Sequence, residues 1–133
     1  MFNPVANWRN QSKYRLFASK CESCDKLSYP VRKLCQYCHE TDSKKMTLVP
    51  LPKSGKVISF TKLMSAPQRY AHYAPYTVAV IKLTGTNIQV VGQIVSTDQD
   101  AIEIGKKVIV VPRVLHKKGS AGLVHYGIKW KVA

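Results

Sequence analysis

Four cysteines in two close pairs constrain this chain more than any other feature of its sequence. Two residues separate Cys21 from Cys24 and Cys35 from Cys38, and ten residues lie between the two pairs. Two intervening residues let each pair chelate from one tight knuckle, and four thiolates complete the tetrahedral coordination that Zn²⁺ prefers. The spacing predicts one structural zinc ion in a ribbon over residues 21–45.

Two alternatives to this zinc site stay open at the level of sequence. The four cysteines are all the chain has, so they could also form two disulfides or stay as free thiols. His39 follows the second pair and could replace one ligand, although such a histidine is more often only a neighbour. A site closed by four sulfurs has no open position for substrate, so we do not expect catalysis at the metal.

The charge balance is strongly basic. The chain has 21 Lys and Arg against 7 Asp and Glu, for a net charge of +14, and residues 43–97 contain no acidic residue. Such a surface attracts nucleic acid, phosphorylated cofactors, acidic proteins or anionic lipid. Because no apolar run approaches the length of a membrane span and the N-terminus does not resemble a secretory signal, we expect a cytoplasmic protein without membrane contact.

Residues 1–20 are predicted to form an N-terminal helical segment. Asn3 could cap a helix with Pro4 in its first turn. A thin apolar stripe then falls near one helical face, formed by Val5, Trp8, Ser12 and Leu16. A weak helix that carries a tryptophan docks either on its own domain or on a partner protein, and the sequence leaves both open.

The rest of the chain has the pattern of β-structure. Residues 39–56 are polar and read as a connector or an irregular first strand. Branched and aromatic residues then predict five strands, at residues 57–63, 76–83, 88–95, 106–115 and 123–132. Five strands with a short excursion between the third and fourth are typical of an OB-fold barrel, here assigned to residues 46–133.

The ordered motifs of the chain resemble the acyl-CoA-associated zinc-ribbon/OB-fold family, long known as a domain of unknown function. In the first half, the resemblance is carried by Trp8-Arg9, Tyr14-Arg15-Leu16, Tyr29-Pro30, Arg32 and the cysteine pairs. In the second half, it is carried by Gly55-Lys56-Val57, residues 74–83, Ile104-Gly105-Lys106-Lys107-Val108 and Tyr126-Gly127-Ile128-Lys129-Trp130. Three positions depart from the family, which often has glycine where Asp25 and His39 follow the cysteine pairs and a second proline where Val31 follows Pro30.

This resemblance implies a mainly β protein with a rubredoxin-like zinc ribbon followed by an OB-fold. It also implies a non-catalytic partner of thiolase-superfamily enzymes. The short, free-standing form looks like the archaeal type, which bridges acetoacetyl-CoA thiolase and hydroxymethylglutaryl-CoA synthase at the start of the mevalonate pathway. In such a hetero-oligomeric complex the enzymes share a CoA site. The expected partner contacts are Trp8, Arg9, Tyr14 and Arg15.

CoA or an acyl-CoA needs cations and stacking surfaces, and two loops of the barrel offer them. We therefore assign candidate CoA contacts to Arg69, Tyr70, His72, Tyr73, Lys117 and Lys118. The tyrosines could instead pack the end of the barrel, and the two lysines could belong to a solvated loop.

Two other classes of function compete with the scaffold hypothesis. A basic OB barrel with aromatic residues also suits single-stranded nucleic acid, with Phe60, Tyr70, Tyr76, Tyr126 and Trp130 as possible stacking surfaces. Catalysis is the third class, since a general acid/base role for His72 stays open. None of the four histidines is paired in sequence with a cysteine or serine in a nucleophile motif, so we expect no enzyme.

Overall fold

The computed structural model describes residues 15–95, 101–117, 119–122 and 124–133, and describes only the backbone at residues 69, 116, 117 and 125. Within these residues the protein is mainly β. Its strands are β1 (Phe17–Cys21), β2 (Leu27–Ser28), β3 (Met46–Pro50), β4 (Ser54–Leu63), β5 (Tyr76–Leu83), β6 (Gln89–Ile94), β7 (Lys107–Lys117) and β8 (Val124–Val132). Short 3-10 helices lie at Ser43–Lys45 and Gln68–Tyr73.

The first three strands form the sheet of the ribbon. Its order is β2-β1-β3, and both pairings are antiparallel. β3 pairs along the whole of β1, from Phe17 opposite Pro50 to Cys21 opposite Met46. The sequence predicted a connector or an irregular strand here, whereas residues 46–50 complete the ribbon sheet. The predicted limits of the three segments, 1–20, 21–45 and 46–133, stay a prediction.

The other five strands close into a barrel with the order β4-β5-β6-β8-β7. All neighbours are antiparallel except β6 and β8, which run parallel and meet at Ile94 and Trp130. This order is that of a five-stranded OB-fold, so the prediction of the barrel is confirmed. Every second residue of β5 is buried, so one face of this strand points into the barrel. The buried residues are Thr77, Ala79, Ile81 and Leu83.

A single apolar core joins the ribbon to the barrel. Buried barrel residues such as Ile81, Ile94 and Trp130 belong to the same cluster as Ala18 of β1 and Leu51, which follows β3. The ribbon is therefore not an independently packed domain, because removing it would expose part of the barrel's core to water.

The described residues do not support the predicted N-terminal helix. Residues 1–14 lie outside the described part of the chain. Phe17–Cys21, which the sequence assigned largely to a helix, is strand β1. The apolar stripe of the predicted helix was thin, and pairing with β3 and β2 outweighs so weak a local preference. Among the described residues, no helix has the length and apolar character needed to span a membrane.

Candidate metal centre and ligand loops

The four cysteines converge on one point at the end of the ribbon. Cys21 ends β1 and is buried, as is Cys35, while Cys24 is half-buried and Cys38 is exposed. All four Sγ atoms lie within 4.8 Å of one another. The Cys21–Cys38 and Cys24–Cys35 sulfurs are each 3.6 Å apart. Tetrahedral Zn–S bonds of about 2.3 Å place sulfurs roughly 3.8 Å apart, so this cluster fits one zinc ion.

The backbone after each cysteine pair turns through the left-handed region. Asp25 and His39 both have a φ of 58°. Asp, Asn and His tolerate this region better than other non-glycine residues, which explains how the chain forms both knuckles without the family's usual glycines. The cluster of possible ligands among the described residues consists of the four cysteines, and His39 is not part of it.

The backbone of the second knuckle favours a thiolate at Cys35. The N–H groups of Cys38 and Tyr37 point toward its sulfur, with Tyr37 N at 3.4 Å, and together they lower the pKa of Cys35 to about 6. For Cys38 the Glu40 N–H lowers the pKa, but desolvation and the neighbouring sulfurs outweigh it and raise the pKa to about 12. Thiolates so close together repel one another, and a bound cation removes that repulsion.

A polar cluster around Glu40 joins the two knuckles independently of the sulfurs. Glu40 Oε2 accepts hydrogen bonds from Ser23 Oγ at 3.0 Å and from Lys45 Nζ at 3.2 Å. Its Oε1 accepts from the backbone N–H of Asp42 at 3.1 Å. The Asp42 N–H, followed by the Lys45 ammonium and the Ser23 hydroxyl, lowers the pKa of Glu40 to about 2. Glu40 is therefore ionised, and it links the first knuckle to the segment that follows the second knuckle.

The aromatic residues proposed to contact CoA gather in the 3-10 helix at Gln68–Tyr73. The rings of His72 and Tyr73 lie 4.2 Å apart, and those of Tyr70 and Tyr73 lie 6.5 Å apart. His72 is exposed, whereas Tyr70 and Tyr73 are half-buried. The structure thus brings these three side chains together. It describes only the backbone of Arg69.

Lys129 completes this cluster, and the sequence analysis did not single it out. Its Nζ lies 4.6 Å from the centroid of the Tyr73 ring, and the residue is only 4% exposed. Burial, followed by the nearby charge of Arg113, lowers the pKa of Lys129. The sequence signal for this buried lysine was its place between Ile128 and Trp130 in an apolar strand. A lysine flanked by apolar residues in a strand usually points to solvent, so the sequence alone did not predict its burial.

The two loops assigned to CoA leave the barrel at opposite ends. β4 runs toward the 64–75 loop, whereas the antiparallel β7 runs the other way, toward Lys117 at its end. Lys117 ends β7 and only its backbone is described, and Lys118 lies outside the described residues. The two loops therefore flank the barrel rather than meet.

Among the residues assigned to partner contacts, Trp8, Arg9 and Tyr14 lie outside the described part of the chain. Arg15 is described and exposed. It stands just before β1 and lines a cavity of about 400 Å³ with Phe17, Pro50 and Val110. Arg15 therefore lies where the ribbon meets the barrel.

Comparisons with known proteins agree with this architecture. Residues 12–43 match the ChsH2 rubredoxin-like zinc ribbon domain, and residues 48–113 match the ChsH2 C-terminal OB-fold domain. A DUF35 domain-containing scaffold protein of Methanothermobacter thermautotrophicus is 32% identical, with 98% of this chain and 97% of the relative covered. A protein of the same description from Methanocaldococcus jannaschii is 30% identical, with 96% and 89% covered.

Solved structures show the same fold. An Ltp2-ChsH2(DUF35) aldolase chain superposes with a TM-score of 0.68 at 24% identity, covering 89% of this chain and 84% of the other. A DUF35-family protein of unknown function from Sulfolobus solfataricus gives a TM-score of 0.53 at 17% identity, covering 90% and 76%. The near full-length similarity, the ribbon and the barrel together show that the chain belongs to the ChsH2/DUF35 family of zinc-ribbon and OB-fold proteins.

Proposed function

We propose that this chain is a non-catalytic scaffold subunit with one structural zinc ion, which joins enzymes of CoA chemistry. The observation that carries the proposal is the similarity, over nearly the whole chain, to proteins described as scaffolds. The four-cysteine cluster supports it, because four sulfur ligands leave the metal no position for a substrate. The zinc then serves to hold the shape of the ribbon.

The partners we propose are acetoacetyl-CoA thiolase and hydroxymethylglutaryl-CoA synthase, at the start of the mevalonate pathway. The motif resemblance is the reason for this choice. The N-terminal segment, with Trp8, Arg9, Tyr14 and Arg15, is the proposed contact with an enzyme, because a tryptophan and arginines are residue types that commonly dominate interfaces. A bridge of this kind lets an acyl-CoA intermediate pass between enzymes without leaving the complex.

A direct contact with CoA is proposed at the cluster of Tyr70, His72 and Tyr73. The aromatic faces offer stacking surfaces, and the ammonium of Lys129 supplies a cation next to Tyr73. Arg69 directly precedes Tyr70 in the same 3-10 helix. Lys117, which ends β7, and Lys118, the next residue in sequence, would contact a different part of a long ligand or of a partner.

The test is reconstitution with purified thiolase and synthase from the same organism. We expect one hetero-oligomer by size-exclusion chromatography with light scattering. Trp8→Ala should weaken assembly by about tenfold or more, whereas Trp8→Phe should largely retain it. The circular dichroism of the barrel should be the same in both variants. If the barrel unfolds in Trp8→Ala, Trp8 belongs to the core instead.

Two results would overturn the scaffold proposal. One is an absence of assembly together with salt-sensitive binding of a single-stranded oligonucleotide, the behaviour of the competing nucleic-acid hypothesis. The other is turnover of an acyl-CoA by the purified chain alone.

A further inference from the structure

Three lysines lie side by side across three neighbouring strands of the barrel. Lys56 of β4 is directly opposite Lys82 of β5 on one side and Lys107 of β7 on the other. Directly opposed residues place their side chains on the same face of a sheet, with Cα atoms about 5 Å apart. Because Val57, Ile81 and Val108, the chain neighbours of these lysines, are buried in the core, the lysine row lies on the outer face.

The described part of the chain offers this row no neutralising partner. Its ion pairs involve Lys20 with Asp25 and Lys45 with Glu40, and neither contains a lysine of the row. All three lysines are exposed. Like charges directly opposite one another destabilise a sheet, so this arrangement costs the folded protein free energy unless an anion offsets it.

A concave surface adjoins two of the three lysines. A cavity of about 550 Å³ is lined by Lys56, Lys82 and the β5–β6 turn from Leu83 to Asn87. At its wall, the hydroxyls of Ser54 and Thr84 lie 3.2 Å apart. Each hydroxyl carries one hydrogen and this contact uses only one, so the pair can donate the other to a ligand. The Asn87 side-chain amide adds further donors.

The same turn also borders a second cavity, on the side of the ribbon. This cavity of about 400 Å³ is lined by residues 85–88 together with Asp25, Lys26, Leu27 and Tyr37. Lys26 Nζ lies 5.0 Å from the centroid of the Tyr37 ring. The two cavities share residues 85–87 of the turn, and we call this pair of adjoining cavities the groove. It has lysines on both sides, with an aromatic ring and the carboxylate of Asp25 on the ribbon side.

The chemistry of the groove selects the class of ligand. Lysine acts as a compact point charge that suits phosphate, whereas planar carboxylates are bound best by arginine, which is absent from the linings of both cavities. Hydroxyl and amide donors complement phosphate oxygens as well. The volumes lie in the range of sites for small molecules. We propose that the lysine row and the β5–β6 turn bind the di- or triphosphate group of a small molecule.

This site is separate from the residues proposed to contact CoA, and it goes beyond the scaffold function. Lys56 lies at the start of β4 and the 64–75 loop follows its end, about 20 Å further along the strand. Success or failure of phosphate binding here leaves the assembly test unaffected.

The experiment is a titration of the zinc-loaded full chain with tripolyphosphate, pyrophosphate and ADP, followed by calorimetry and amide NMR. We expect saturable binding, with shifts centred on residues 54–56 and 82–88. Lys56→Gln/Lys82→Gln should weaken it by about tenfold or more. The control Lys33→Gln/Lys44→Gln removes the same charge from exposed positions of the ribbon and should change affinity less than about twofold.

The arms of the titration distinguish the sources of phosphate. Tighter binding of ADP than of pyrophosphate, with added shifts at Tyr37, indicates a nucleotide-like ligand that occupies the whole groove, while equal binding indicates the phosphates alone. If Lys56→Gln/Lys82→Gln and Lys33→Gln/Lys44→Gln weaken phosphate binding equally, the proposal is overturned, because the protein then responds only to net charge. Shifts spread over the barrel, with single-stranded RNA binding far more tightly, would overturn it in favour of a nucleic-acid surface.

Discussion

The Ser23 hydroxyl donates a hydrogen bond of 3.0 Å to Glu40, and this contact joins the two cysteine knuckles without passing through a sulfur. Glu40 also accepts from Lys45 and from the backbone of Asp42, which explains its low pKa. Groups that orient metal ligands from outside the coordination sphere commonly tune metal affinity. Glu40 therefore positions the knuckles that present the four thiolates.

Glu40→Gln should leave zinc bound but speed its release. The amide keeps one acceptor oxygen but loses the second, and it loses the charge that binds Lys45, so the knuckles open more readily. We expect extraction of zinc by a chelator to be about tenfold faster, measured with a colorimetric zinc indicator. Glu22→Gln is the matched control, because Glu22 is exposed in the first knuckle and its loss removes the same charge. Equal release rates for the two variants would contradict the role of Glu40.

Cys35→Ser should abolish stoichiometric zinc binding. The change removes one of four thiolates, and the remaining three cannot close the site. Metal analysis of protein purified under reducing conditions should give one zinc per chain for the natural sequence and well below one for the variant. Gln36→Ser, at an exposed position of the same knuckle, should keep its zinc. Disulfides in place of metal in the natural protein would show that the zinc assignment is wrong.

Cys35→Ser also tests whether the ribbon and the barrel share one core. Ala18 and Leu51 pack with the buried residues of the barrel, so loss of the ribbon should lower the melting temperature of the barrel as well. If the barrel melts at an unchanged temperature, the ribbon and the barrel are independent.

Gly92→Ala should destabilise the barrel through a clash with Trp130. A Cβ at Gly92 would lie 2.4 Å from Trp130 Cδ1 and 2.6 Å from its Nε1. The indole is 2% exposed and packs in the apolar core, so we expect a loss of about 1–3 kcal/mol in the free energy of unfolding. Urea denaturation followed by far-UV circular dichroism measures it.

Two further variants make this prediction specific. Val91→Ala, at a neighbouring position that is 72% exposed, should change stability by less than about 0.5 kcal/mol. The double variant Gly92→Ala/Trp130→Phe should lose less than the sum of its two single changes, because the smaller ring leaves room for the methyl group. Additive losses would mean that the close approach of Gly92 and Trp130 is not the cause.

Local patterns in the sequence were enough to predict the barrel and the sulfur cluster. The fifth strand, Tyr76–Leu83, has the predicted bounds because every second residue faces the core and the alternation is visible in sequence. The metal site of the four cysteines was predictable because a chelating pair is a local arrangement that needs only two intervening residues.

Features that depend on pairing between distant segments were not predictable. The sequence of β3 predicted a connector or an irregular first strand, since its partner β1 lies more than twenty residues earlier and no local pattern specifies that register. The row of Lys56, Lys82 and Lys107 likewise exists only once three strands are in register. The burial of Lys129 depends on a tertiary contact with Tyr73.

His39→Gly should give a more stable protein than His39→Ala. The φ of 58° at this position lies in the left-handed region, where a Cβ costs roughly 1–2 kcal/mol and glycine carries no such cost. The two variants lose the same imidazole, so their difference isolates the backbone term. We expect the glycine variant to be more stable by about 1 kcal/mol in thermal unfolding of the zinc-loaded protein. The same pair of changes at the exposed Gln36, which lies outside that region, should reverse the order, because glycine there only adds freedom to the unfolded chain. If alanine proves the more stable at both positions, the second knuckle does not turn through the left-handed region at His39.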